Sequence, residues 1–415
     1  MQKTNFLSLF IMKNRIIYII ISLMLVFWNG CKEEGRIDHI DDRAPAPAQV
    51  SDVRVFPTYG GAVLKYTLPN DQNLLYVKAV YEIQPGVIHE TKASYFKDSL
   101  VLEGFGDTKT YDVQIFSVGK NEKASEPLVK QVNPLTPPVR LATKQLREAF
   151  GGVAIDVENP TRANLTIVLL ADTAKLGYLT ELYTFWTSAQ KGVFSYRGLD
   201  SIPYDFAVYF RDRWDNFSDT VKANVTPWFE EFIHKNTWAE YPMSGDASPL
   251  NANYPVRMIW NGITTGATAN SGYHSMDLPL PQIITWDLGV TAKLGRFKFW
   301  PRDHQDDRWA RGHPKIFELY GSLTRPDQTD GSLDNWIPLG RFECVKPSGP
   351  GLQVTQEDIE FGAAGIDFDF EPSDFAPDPI TPIRYLRFRT LTVFGNTTVT
   401  PVNIAEISFW GSIIK

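Results

Sequence analysis

Residues 296–322 read Arg296-Phe297-Lys298-Phe299-Trp300, then Pro301-Arg302-Asp303-His304-Gln305-Asp306-Asp307-Arg308-Trp309-Ala310-Arg311-Gly312-His313-Pro314, then Lys315-Ile316-Phe317-Glu318-Leu319-Tyr320-Gly321-Ser322. Phe297 and Phe299 alternate with Arg296 and Lys298, which is the period of a half-buried strand. Phe317 and Leu319 share one face of a second strand, with Glu318 between them. The connection from 301 to 314 holds three arginines, three aspartates, two histidines and a tryptophan. It has no apolar period that would make it a strand or a helix. A connection this long inside a compact sheet is usually functional or disordered, and the strong strands on either side argue against disorder. The loop is therefore expected to be a recognition surface.

The surrounding composition agrees with a β fold. The chain has 415 residues, enough for two or three domains, and 13% of them are aromatic. Its 28 prolines and 29 glycines are spread along the chain and punctuate short β-type runs, as in an all-β protein. The formal net charge of −7 argues against nucleic acid as a partner, because phosphate binding needs a concentrated basic face. Two cysteines are too few for a disulfide framework or a cysteine zinc site.

Residues 1–30 read as an export signal. Met12-Lys13-Asn14-Arg15 is a positive segment, and residues 16–27 are a continuous apolar run too short for a comfortable membrane span. Trp28-Asn29-Gly30-Cys31 follows and resembles the lipobox of bacterial lipoproteins, which implies that Cys31 carries the lipid. Trp28 and Asn29 stand where that motif has smaller or aliphatic residues, and an ordinary signal peptide is the alternative. Cys31-Lys32-Glu33-Glu34 resembles the acidic tag that sends Bacteroidetes lipoproteins to the outer face of the outer membrane. Residues 31–48 then form a lipidated linker that ends in the stiff Ala44-Pro45-Ala46-Pro47. Cys344 is left as a lone thiol, expected to be buried.

A repeat follows. Gly60-Gly61-Ala62-Val63-Leu64-Lys65-Tyr66 corresponds to Gly151-Gly152-Val153-Ala154-Ile155-Asp156-Val157, and Tyr111-Asp112-Val113-Gln114-Ile115-Phe116 to Tyr204-Asp205-Phe206-Ala207-Val208-Tyr209. Near-constant spacing of this kind marks tandem modules of one fold. Each module has the length and alternation of an immunoglobulin- or fibronectin-III-like sandwich, with domains at 49–134 and 135–227. Predicted strands cover 62–67, 77–83, 99–102 and 111–118 in the first, and 153–157, 165–170, 180–187 and 205–211 in the second. Tyr111 and Tyr204 sit where such sandwiches carry a corner tyrosine, whose hydroxyl ties the turn to the backbone. Pro134-Leu135-Thr136-Pro137-Pro138 marks one boundary and Thr226-Pro227 the other.

From 228 to 415 the chain carries Trp260-Asn261-Gly262, Ile284-Thr285-Trp286-Asp287-Leu288-Gly289, Phe317-Glu318-Leu319-Tyr320-Gly321-Ser322, Trp336-Ile337-Pro338-Leu339-Gly340, Ile383-Arg384-Tyr385-Leu386-Arg387-Phe388 and Ala405-Glu406-Ile407-Ser408-Phe409-Trp410-Gly411. In that order they resemble the discoidin, or coagulation-factor type C, family of galactose-binding-like jelly rolls. The whole chain is similar to Bacteroidetes lipoproteins with two uncharacterised domains before a discoidin-like one. These are typically encoded beside outer-membrane glycan importers and their binding lipoproteins.

The resemblance implies a glycan held by loops at one end of the barrel. A pyranose has an apolar face that stacks on an aromatic ring, and hydroxyls that need donors and acceptors in fixed places. Trp309 is the candidate ring. Arg302, His304, Arg308, Arg311 and His313 are candidate polar partners, with Tyr273 and His274 as an opposing wall. The alternative is a solvated ion-pair cluster with Trp309 folded inward as a lid. Related modules also hold a structural calcium at a turn and a glutamate on the last strand. Here the matching residues are Asn261, Thr264, Thr265 and Glu406. The alternative is Glu406 hydrogen-bonding the 261–265 loop without an ion. Asp367, Asp369, Glu371 and Asp374 look like possible paired carboxylates, but their alternation with apolar residues fits a strand with one wet face. No catalytic elbow, zinc helix or phosphate loop occurs. The sequence thus points to a non-catalytic, lipid-anchored surface protein that binds polysaccharide, with a structural adaptor for a neighbouring importer as the alternative.

Overall fold

A computed structural model describes residues 42–265, 272–303, 308–351, 353–395 and 398–414. The export signal, Cys31 and His304 lie outside them. The chain is all-β and divides into two compact units between Pro137 and Pro138. Among the described residues no helix is long and apolar enough to cross a membrane.

The first unit contains β1 (Ser51–Thr58), β2 (Gly61–Thr67), β3 (Leu74–Gln84), β4 (Val87–Ser94), β5 (Ser99–Glu103), β6 (Tyr111–Gly119) and β7 (Leu128–Val132). They form two antiparallel sheets, β1-β2-β5 and β4-β3-β6-β7. The second unit opens with β8 (Thr143–Ala149), β9 (Gly152–Glu158), β10 (Leu165–Ala171), β11 (Thr180–Thr187), β12 (Lys191–Arg197), β13 (Tyr204–Arg211) and β14 (Val221–Val225). Their sheets, β12-β9-β8 and β11-β10-β13-β14, repeat the same order. This is the three-plus-four arrangement of a fibronectin-type sandwich.

The Gly-Gly pairs at the head of the repeat have a steric cause. Gly60 and Gly151 turn with φ of 64° and 62°. At Gly61 and Gly152 a β-carbon would lie 2.2 Å from the Leu102 carbonyl oxygen and 1.7 Å from that of Tyr196, each on the neighbouring strand. The hydroxyl of Tyr111 donates to the Asp107 carboxylate at 2.8 Å, a side-chain tie where a backbone one was expected, and its ring packs 4.3 Å from Phe105.

The C-terminal domain contains β15 (Glu231–Phe232), β16 (Ala239–Glu240), β17 (Tyr273–His274), β18 (Leu278–Pro279), β19 (Gln282–Trp300), β20 (Pro314–Ser322), β21 (Ile337–Glu343), β22 (Ile366–Asp369), β23 (Ile383–Val393), β24 (Val399–Thr400), β25 (Asn403–Ile404) and β26 (Glu406–Ile413). The main sheet runs β15-β26-β19-β23-β20-β21. The two strands predicted on either side of the 301–314 loop are β19 and β20, and β23 inserts between them. β19 serves four partners. Its first half pairs with β23 from Gln282 to Asp287 and with β16 at Trp286 and Asp287, and its second half pairs with β26 from Ala292 to Trp300 and with β22 from Arg296 to Phe299. The bend between falls at Gly289, φ 71°. Trp286, Phe297, Phe299, Phe317, Phe388 and Phe409 fill the barrel, each almost fully buried. Cys344 is buried among them.

The boundary expected at 227 falls inside the second unit, where the sandwich and the barrel are joined by charge. Glu230 accepts hydrogen bonds from Arg296 at 3.0–3.2 Å and lies 3.4 Å from Arg197. Arg197 also reaches Asp369 at 2.7 Å, and Arg147 pairs with Glu371. Asp367 pairs with Lys298 at 3.4 Å. The carboxylates of the 367–371 run are therefore each paired with an arginine or a lysine.

Candidate functional site

The loops that precede β20 and flank β25 meet where the Gly312 carbonyl accepts the Asn403 N–H at 2.9 Å, and of the described residues in 301–314 only Arg311 is exposed. Trp309 is 4% exposed and belongs to the core. Its indole N–H donates to the carbonyl of Asp358 at 2.7 Å, its ring stacks on Phe361, and Phe394 meets it edge-on at 5.3 Å. The expected stacking platform is thus a lid. The reason is physical: once the indole N–H has an acceptor, nothing opposes burying the large apolar ring. His313 is also inside, fully buried, accepting the Trp309 backbone N–H on Nδ1 at 2.9 Å and lying parallel to Phe299. Burial, reinforced by the nearby Arg308 cation, pushes its imidazole down to about 3.

Arg308 is a brace. It pairs with Asp303 at 3.1 Å and donates to the Ile359 carbonyl at 3.2 Å, which fastens the loop to the helix Gln356–Ala364. That helix is itself set by a capping box between Thr355 and Asp358. Arg311 is exposed, and its carbonyl accepts the Gly395 N–H at 2.8 Å. Tyr273 is buried with its hydroxyl on the Ala247 carbonyl at 3.1 Å, and burial pushes its pKa up, so it forms no wall for a ligand.

Two expected residues do meet. Arg302 Nη1 lies 3.3 Å from His274 Nδ1, and its guanidinium sits 5.2 Å above the ring of Tyr254. The His274 and Tyr254 rings are 5.5 Å apart, and Asn403 Oδ1 abuts His274 Nδ1. That nitrogen donates to Asn403 in one tautomer and accepts from Arg302 in the other. Arg302 is 3% exposed, while His274 and Tyr254 are half-buried. The cluster therefore brings together an aromatic edge, an imidazole and a cation from three separate segments, with the buried amide of Asn403 behind them from a fourth. Tyr254 and Asn403 were missed in the sequence. The signal for Tyr254 was present in Asn251-Ala252-Asn253-Tyr254-Pro255. Asn251 Oδ1 accepts the Asn253 N–H at 2.9 Å and the Asn251 carbonyl accepts the Tyr254 N–H at 3.1 Å, a turn that projects the tyrosine.

The calcium residues arrange differently. Glu406 is 1% exposed, with one carboxylate oxygen on the ammonium of Lys235 and the other accepting the Gly262 N–H at 3.1 Å. Burial pushes Glu406 up to about 7 and pushes Lys235 down. Asn261 Oδ1 accepts the Ile263 N–H at 2.8 Å. Thr264 is half-buried and Thr265 exposed, and neither is hydrogen-bonded to Glu406 among the described residues. Calcium takes six to eight oxygens, usually including several carboxylates. One carboxylate already joined to an ammonium does not fit it. Among the described residues no group of three or more His, Cys, Asp or Glu side chains is placed to hold a metal.

Family models match three successive stretches, each described as a domain of unknown function: DUF4959 at 47–134, DUF5126 at 135–236 and DUF5000 at 260–411. None spans half of the chain. No curated protein matches. Among solved structures, a SusE-like protein is similar at 28% identity, over 67% of this chain and 100% of that one, with a TM-score of 0.44. A family-32 carbohydrate-binding module from a Clostridium perfringens family 31 glycoside hydrolase is similar at 18%, over 44% and 95%, with a TM-score of 0.30. A two-domain fibronectin type III segment of chicken tenascin is similar at 13%, over 43% and 99%, with a TM-score of 0.21.

Proposed function

We propose that this chain is a glycan-binding surface protein without catalytic activity, and that its C-terminal domain takes a saccharide at the Arg302–His274–Tyr254 cluster. The observation that carries the reading is the stacked guanidinium. Arg302 is nearly withdrawn from solvent, yet it is held over Tyr254 and beside His274, so the donors are fixed before a ligand arrives. Pre-positioned donors beside an aromatic ring suit a sugar, whose hydroxyls have fixed directions and whose C–H face is apolar. In the finer reading the chain is anchored through lipid on Cys31, faces the cell exterior, and works beside an outer-membrane glycan importer and its binding lipoprotein. The motifs at 12–34 support the anchor. Several such binders on one polymer raise retention without tight single-site affinity.

Affinity electrophoresis of the purified protein in gels containing a panel of polysaccharides tests this. The wild type is expected to be retarded by at least one polymer, and Tyr254→Ala and His274→Ala are expected to reduce that retardation with unchanged melting. Free migration of the wild type across the panel would sink the proposal and leave the adaptor reading.

A further inference from the structure

We infer a second saccharide site, away from the Arg302 cluster, in the cleft between the second sandwich and the C-terminal barrel. The cleft encloses about 740 Å³, within the range of ligand pockets, and lies where two domains meet, a common place for ligand sites. Its floor is Trp228. The Trp228 backbone N–H donates to the Ala149 carbonyl at 3.0 Å, and its carbonyl accepts the Gly151 N–H at 2.8 Å, which fixes the main chain beneath the ring. Phe150 braces the indole edge-on at 5.2 Å, and the preceding Pro227 carbonyl accepts the Ser201 hydroxyl at 2.6 Å. A ring held this firmly would normally be covered, yet Trp228 is 40% exposed and the adjoining Phe229 57%.

The polar groups around these rings suit a neutral sugar. Glu148 on β8, Lys293 on β19 and Asp378 line the cleft and are exposed, with no ion pair among the described residues. They offer acceptors and a donor of both signs around a flat apolar platform. Hydroxyls use all of them, whereas a polyanion would meet the two carboxylates. The walls do not have to assemble on binding. Arg197 and Arg296 converge on Glu230, and Arg147 pairs with Glu371, so sandwich and barrel are already pinned on either side of the platform. Such pre-organisation lowers the ordering cost of binding.

Calorimetric titration of the intact chain with neutral gluco-, galacto-, manno-, xylo- and arabino-oligosaccharides tests the site, with indole fluorescence read in parallel. The wild type is expected to bind one of these series at two sites. Trp228→Ala and Phe229→Ala should each weaken one site by about two- to tenfold, the range for loss of an aromatic contact. Tyr254→Ala should weaken the other, and Trp228→Ala with Tyr254→Ala should weaken both. Phe229 is mostly exposed, so its variant keeps the test valid if removal of Trp228 disturbs folding. Unchanged titrations for both Trp228→Ala and Phe229→Ala would overturn the inference while leaving the Arg302 cluster intact. Loss of all binding in Tyr254→Ala alone would also overturn it. Loss in Trp228→Ala with none in Tyr254→Ala would uphold the cleft and remove the other site. No binding of any series by the wild type would overturn both.

Discussion

Trp309 and His313 hold the long loop shut through one hydrogen bond and a shared aromatic box. Truncating Trp309 to alanine would leave a cavity beneath the loop and is expected to cost about 3–5 kcal/mol in denaturant unfolding. The same variant, while folded, should keep saccharide retention, which separates a lid from a platform. His313 gives a pH dependence with a definite sign. Its folded imidazole is pushed down to about 3 from an ordinary 6.5, so the unfolded chain takes up a proton first as pH falls. Its contribution to stability is complete above pH 6.5 and is lost as pH drops toward 3, by up to about 1.4 kcal/mol per pH unit. NMR of the His313 ring protons is expected to show no titration between pH 7.5 and 4. A midpoint near 6.5 in the native spectrum would refute the buried neutral state.

Among the elements, the Lys235–Glu406 tie joins a single helical turn, Lys235–Thr237, to the last strand. The ammonium supplies the positive charge at the carboxylate, on a side chain of the chain itself. Lys235→Met would strand a buried carboxylate and is expected to cost about 3–5 kcal/mol, whereas Lys235→Met with Glu406→Leu should recover most of it. EDTA should leave the melting temperature unchanged. A drop in melting with EDTA would restore a bound ion. What the sequence disclosed at this scale was local pattern. Alternation placed β19 and β20, and the Gly-Gly repeat placed β2 and β9, because those signals lie within a few residues. Which way Trp309 faces depends on Asp358, Phe361 and Phe394, far along the chain, so loop composition carried no sign of it. The site residues divided in the same way. Arg302 and His274 were legible as residue types, but their meeting over Tyr254 depends on three segments brought together by the barrel.

For the whole molecule, the family of arginines around Glu230 makes the second sandwich and the barrel one unit. Glu230 is only 10% exposed and is shared by a guanidinium from each side. Glu230→Ala is expected to split a single calorimetric transition of the 138–415 unit into two, with the sandwich and barrel melting apart. One unsplit transition would show that the joint is held by other contacts. None of this joint was readable beforehand, because the acidic run at 367–371 explains itself locally as a strand edge and its partners lie in another domain.

The pairing of β15 with β26 has a different kind of consequence. Glu231 lies opposite Gly411 and Phe232 opposite Trp410, so the strand that leads into the barrel and the strand that closes it are hydrogen-bonded neighbours. A segment whose two ends lie side by side can be copied, moved or spliced into a loop of another polypeptide without its interior being rearranged. The barrel is in that sense a unit of recombination, and a gene encoding it can acquire or lose the whole domain in one event.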